Sequence, residues 1–122
     1  MNKLRISLLL LCTAALALAA DTKLTGEWQV QRNAAGREST GACTFTQQDN
    51  DLGGTCTTPG GPVKLTGKVD GKKITWTIKA ESEAGPVTVV YAGTLESDDA
   101  MSGSVTAVEF SVEGEFKATR SK

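Results

Sequence analysis

From Leu24 onward, apolar and polar residues alternate one by one, and turn residues interrupt the alternation about every dozen positions. Leu24, Gly26, Trp28 and Val30 share one phase, while Thr25, Glu27 and Gln29 share the other. The pattern returns at Gly41, Cys43 and Phe45, at Leu52, Gly54 and Cys56, and at Val63, Leu65, Gly67 and Val69. It continues through Ile74, Trp76 and Ile78, then Val87, Val89, Tyr91, Gly93 and Leu95. Met101, Gly103 and Val105 follow, and the last segment carries Phe110, Val112, Gly114 and Phe116. A side chain on one face at every second residue marks a half-buried strand, and no stretch carries a helical period. Eight strands meandering through short turns predict an all-β fold, an eight-stranded antiparallel up-and-down barrel.

Turn chemistry sets the register of two hairpins. A two-residue turn at Asp70-Gly71 sets Val69 opposite Lys72, Leu65 opposite Trp76 and Val63 opposite Ile78. A four-residue turn over Gln48 to Asp51 sets Gln47 opposite Leu52, Phe45 opposite Gly54 and Cys43 opposite Cys56. Both hairpins bring apolar residues together on one face, as antiparallel pairing requires. The second predicts a cross-strand disulfide between Cys43 and Cys56.

Compartment follows from the start of the chain. Lys3 and Arg5 precede an apolar run from Ile6 to Leu18, and small residues at Ala17, Ala19 and Ala20 offer a cleavage site. This reads as a signal peptide over residues 1–20, with one domain over residues 21–122. The run is too short to span a bilayer comfortably, so no membrane span is expected. Cleavage removes Cys12 and leaves Cys43 and Cys56 in an exported setting, periplasmic or secreted, where a cysteine pair favours a disulfide.

Charge and composition narrow the function. Without Lys3 and Arg5 the chain has 11 basic and 14 acidic residues, so a nucleic-acid partner is not expected. The sequence contains 0 histidines, which excludes Ser-His-Asp machinery and any His-ligated metal. Asp49-Asn50-Asp51 and Asp98-Asp99 fall on turns and lack the ligand spacing of a calcium loop. Glu109, Glu113 and Glu115 fall on the outward phase of the last strand, so no acid/base pair faces inward. No enzyme activity, no metal and no cofactor are expected.

All six aromatics fall on the inward phase, together with a recurring apolar-x-Gly-x-apolar unit. Glycine weakens a strand, so its repeated placement has a purpose: tight coiling of a small barrel, or space beside an aromatic ring. On the second reading a ligand wall would comprise Phe45, Leu65, Trp76, Val89 and Tyr91, which flank Gly54, Gly67 and Gly93. The Tyr91 hydroxyl would be its one polar handle.

Gly26-Glu27-Trp28 near the predicted mature start resembles the Gly-x-Trp signature of the calycin superfamily, which includes lipocalins and avidins. Arg120, in Phe116-Lys117-Ala118-Thr119-Arg120, stands where a calycin carries an arginine that packs over that tryptophan. The resemblance implies structural roles for Trp28 and Arg120, the guanidinium stacking on the indole and capping carbonyls at the closed end. Leu24 to Trp28 and Ile74-Thr75-Trp76 are similar to avidin strands, but only two tryptophans exist where avidins use several around biotin. The Leu-x-Gly-x-Trp opening is also similar to small secreted bacterial metalloprotease inhibitors, which block their enzyme with an N-terminal tail. Only Asp21, Thr22 and Lys23 precede the first strand here. The function expected is an exported barrel binding a small apolar ligand; the alternative is a secreted module that binds a partner protein, such as a protease inhibitor.

Overall fold

The computed structural model describes residues 24–121, so the predicted signal peptide and cleavage site lie outside the described residues. Eight strands follow in order: β1 (Gly26–Ala34), β2 (Arg37–Gln48), β3 (Asp51–Thr58), β4 (Gly61–Asp70), β5 (Lys73–Ser82), β6 (Gly85–Ser97), β7 (Ala100–Ala107) and β8 (Val112–Arg120). Each pairs antiparallel with the next, and β1 pairs with β8, so the sheet closes on itself as an up-and-down barrel. Closure removes every free edge, which is how a small all-β domain avoids edge-to-edge association.

Turn residues explain the meander. Ala35 and Gly36 both adopt positive φ (53° and 75°), the requirement of the tight turn whose twist matches the flanking strands. Gln47 faces Leu52, Phe45 faces Gly54 and Cys43 faces Cys56, the register that the β2–β3 turn predicts. The two cysteines form the expected disulfide.

The β4–β5 hairpin differs. Asp70 pairs with Lys73, the loop is Gly71-Lys72, and Leu65 faces Ile78 while Gly67 faces Trp76. The single positive φ sits at Gly71 (63°), the first loop position, so Asp70 stays in the strand. The slip is two residues along one strand, which preserves the face of every side chain. It also has a packing reason, because the bulkiest side chain of β5 now sits opposite a residue with no side chain.

The barrel interior is one apolar core. Trp28, Val30, Phe45, Ile74 and Trp76 are fully buried, and Leu24 plugs the end from which β1 departs. Trp76 stacks on Tyr91 at 4.5 Å, while Phe45 and Phe116 meet Trp76 edge-on at 5.0 and 5.3 Å. Such offset and T-shaped pairs add to the stabilisation that burial of the rings already supplies. Phe110 is the exception among the aromatics. It lies 44% exposed on a short 3-10 turn, Val108–Phe110, because β8 begins only at Val112. Glu109 belongs to the same turn rather than to the last strand.

The inward glycines serve close strand approach. A Cβ on Gly54 would strike the Thr44 carbonyl oxygen, and one on Gly67 would strike that of Thr75. Gly54 moreover has φ +129°, which other residues rarely adopt. Beside Gly93 a Cβ would come within 2.8 Å of the Phe116 ring. No space lies next to these glycines. The barrel coils tightly there, and neighbouring backbone and rings fill what the missing side chains leave.

Candidate functional site

The two ends of the barrel differ. At one end lie the first residue of β1, the β2–β3, β4–β5 and β6–β7 loops and the last residue of β8. Backbone hydrogen bonds knit these loops into a ring: Val69 N–H donates to Asn50, Leu95 to Lys72, Arg120 to Asp99 and Ser121 to Glu27. Trp28 Nε1 donates to the Leu24 carbonyl at 2.9 Å, and the Leu24 N–H donates to Gln47 Oε1 at 2.8 Å. Arg120, directly across from Trp28 in the register, lays its guanidinium over the indole, 4.7 Å from the ring centroid. The same guanidinium donates to the carbonyls of Thr25 and Asp98 and pairs with Asp99 Oδ1 at 2.9 Å. Residues from β1, β8 and the β6–β7 loop thus seal this end, with the geometry anticipated for Trp28 and Arg120.

At the opposite end, where the β1–β2, β3–β4, β5–β6 and β7–β8 loops lie, the strand ends line a cavity of about 410 Å3. Its walls are largely apolar: Ala34, Ile78, Ala80, Val89, Val105, Ala107 and Val112, with Pro59 at the rim. Tyr91 also lines it, stacked over Trp76 in the core. Of the residues expected to form a ligand wall, Val89 and Tyr91 therefore line the cavity. Phe45, Leu65 and Trp76 lie in the close-packed core, each at most 2% exposed. The Trp76 indole N–H finds no acceptor there among the described residues, an arrangement that costs stability in a dry interior.

Arg32 is the polar group that the sequence reading missed. It follows Trp28 and Val30 on the inward phase of β1, so the signal was its parity alone. Its guanidinium reaches across the lumen, donating from Nη1 to the Tyr91 hydroxyl at 3.0 Å and from Nε to Ser39 Oγ at 3.0 Å. It rests over Gly41, where a Cβ would come within 3.2 Å of Nη2. Burial pushes the Tyr91 phenol above its ordinary pKa, and the Arg32 charge and hydrogen bond oppose that rise. Arg37 and Glu38 complete the rim. One side of the mouth is held by Glu109, which accepts from the Thr88 N–H at 2.6 Å and the Thr88 hydroxyl at 2.7 Å. Those two bonds hold the Glu109 carboxyl below its ordinary range and fasten the β7–β8 turn to β6.

Known structures share this architecture. The chain is similar to a redesigned β-barrel at 21% identity over 81% of this chain and 92% of that one, with a TM-score of 0.62. Two further redesigned barrels, mFAP1 and mFAP0, both bound to DFHBI, match at 18% and 23% identity with TM-scores of 0.57. They cover 80% of this chain and 94% and 98% of their own. At these identities the likeness concerns the fold. No protein-family model matches the chain, and no curated protein matches it significantly.

Proposed function

We propose that the protein is an exported binding module whose ligand is a small, largely apolar molecule seated in the cavity above Tyr91. The observation that carries this reading is the cavity itself. Its volume of about 410 Å3 lies in the range of small-molecule sites, with mostly apolar walls and a few convergent polar groups. Eight-stranded barrels of this kind hold side chains or one small ligand, and two of the similar barrels are bound to DFHBI. The Cys43–Cys56 disulfide supports export, since such bonds persist in oxidising compartments. The stack of Arg120 on Trp28 supports kinship with calycins. The proposed role is binding rather than catalysis.

Titration of the oxidised protein with the neutral fluorescent probe N-phenyl-1-naphthylamine tests the reading. Saturable binding is expected, and Val89→Phe, which projects a ring into the cavity, should abolish it while the circular dichroism spectrum stays unchanged. Failure of the folded protein to bind either apolar probes or alkyl amphiphiles would overturn it. A partner-protein role would instead use Val108 and Phe110, which lie 50% and 44% exposed on the β7–β8 turn. Val108→Ser with Phe110→Ser would then abolish partner binding and leave probe binding intact.

A further inference from the structure

The cavity has an electrostatic asymmetry that an uncharged ligand would not use. Arg32 brings a full positive charge into the lumen, yet its hydrogen-bond partners are both neutral, the hydroxyls of Ser39 and Tyr91. Among the described residues the ion pairs are Lys68 with Asp51 and Arg120 with Asp99; no carboxylate is within pairing distance of Arg32. Arg37 adds a second positive charge at the rim, against the single carboxylate of Glu38. A half-buried cation without a counter-charge is costly to keep, and an anion beside it relieves that cost.

The donor inventory agrees. A guanidinium has five N–H groups, of which Nε and one on Nη1 are used here. Tyr91 accepts from Arg32, which leaves its own O–H proton available to donate. Ser39 likewise accepts from Arg32 and retains its proton. Unused donors therefore converge on one side of a cavity whose other walls are Ile78, Val89, Val105 and Val112. The planar fork of an arginine matches a carboxylate in a way that suits two parallel hydrogen bonds.

From this we infer that the ligand is an amphiphilic organic anion, a carboxylate whose headgroup pairs with Arg32 and Tyr91 while its apolar tail fills the cavity. The inference rests on the binding reading above and adds the charge and orientation of the ligand. Aliphatic and aromatic carboxylates share this chemistry, and decanoate compared with 1-naphthoate separates them.

The test is displacement of N-phenyl-1-naphthylamine from the full oxidised chain by decanoate and by decan-1-ol, which share a tail and differ in charge. Decanoate is expected to displace the probe at about tenfold lower concentration or less, the gain of a charge-assisted bond in a partly dry site. The preference should vanish in Arg32→Met and persist in weakened form in Arg32→Lys, which keeps the charge without the fork. Equal displacement by acid and alcohol, or a preference that survives Arg32→Met, would overturn the inference and leave the apolar binding site standing. Should the probe itself not bind, calorimetric titration with decanoate reads the same question, and an absence of heat and of saturation overturns both. Should Arg32→Met fail to fold, the Arg32→Lys and Tyr91→Phe variants still report. Each should lower decanoate affinity several-fold while decanol affinity stays level.

Discussion

Each end of this barrel sets an arginine over a glycine and beside an aromatic residue, stacked on the ring at one end and hydrogen-bonded to a phenol hydroxyl at the other. Arg120 lies over Trp28 beside Gly26, and two carbonyls, a carboxylate and the ring face hold its guanidinium. Arg32 reaches Tyr91 over Gly41 and is held by two hydroxyls. The first end is also laced by backbone bonds from loop to neighbouring strand. Among the described residues of the other end, the one such bond outside the strand ladders stays within the β7–β8 turn, from Ser111 to Val108. The two ends thus differ in where their polar groups find partners. One end satisfies them internally; the other leaves donors facing a cavity, the proposed ligand site.

Truncating the Trp28–Arg120 stack at the sealed end and Arg32 at the open end separates the two arrangements. Trp28→Ala should cost on the order of 3–5 kcal/mol in denaturant unfolding, as for other buried aromatic truncations. Arg120→Ala should cost less, and a double-mutant cycle should show coupling between the two, since they are in contact. Additive effects would mean that the sealed end is held by the loop ring rather than by the stack. Replacing Cys43 and Cys56 together by alanine should lower stability by about 3 kcal/mol on the chain-entropy account of a short closed loop. Unfolding with and without reductant checks this independently.

At the open end Arg32→Met should cost only about 1 kcal/mol, because it removes hydrogen bonds to neutral hydroxyls beside a cavity that water can enter. A cost matching that of Trp28→Ala would place Arg32 among the structural residues instead. The same variant should raise the Tyr91 phenol further, since Arg32 is what opposes the effect of burial. The sign for stability follows from the raised pKa. Tyr91 holds its proton in the fold at pH values where an unfolded tyrosine has lost it, so its contribution is complete below the ordinary phenol value. That contribution is lost as pH rises toward the raised folded value. Phenolate absorbance and thermal unfolding above that pH check both statements. The smallest effect belongs to Asp99→Ala, under about 1 kcal/mol, because its carboxylate is largely exposed and Arg120 keeps its other partners.

Much of this was legible before any coordinates. Strand count, closure, the inward core and the Cys43–Cys56 bond follow from a strict period of two, which leaves each side chain only two faces. The β4–β5 register was not legible, because Asp-Gly is compatible with either loop placement. What decided it was the fit of Trp76 against Gly67, a contact between strands. The glycines misled in the same way. A missing side chain is visible in a sequence, but whether a neighbour's backbone occupies its place is not, and at Gly54 and Gly67 it does. The cavity therefore sits at the mouth instead of beside the central aromatics. Arg32 was hidden by its chemistry: a charged residue on an inward phase reads as the end of a strand until its guanidinium is seen to cross the lumen.

Closure of the sheet has a kinetic side. Seven of the eight seams join strands consecutive in sequence, and β1–β8 alone joins the two ends of the ribbon. Hairpins lose little chain entropy when they zip, whereas the last seam requires the whole ribbon to curl before any of its bonds can form. That seam is accordingly expected to close last in folding and to be the line along which the ring opens first. Arg120 latches that line at the sealed end, where it faces Trp28 across the seam. Toward the mouth Arg32, on the same strand β1, braces against Tyr91 on β6, a strand it does not adjoin. A molecule gripped by that brace would slow the unzipping of the barrel from within, so occupancy should register as a longer lifetime of the slowest-exchanging amides of β1 and β8.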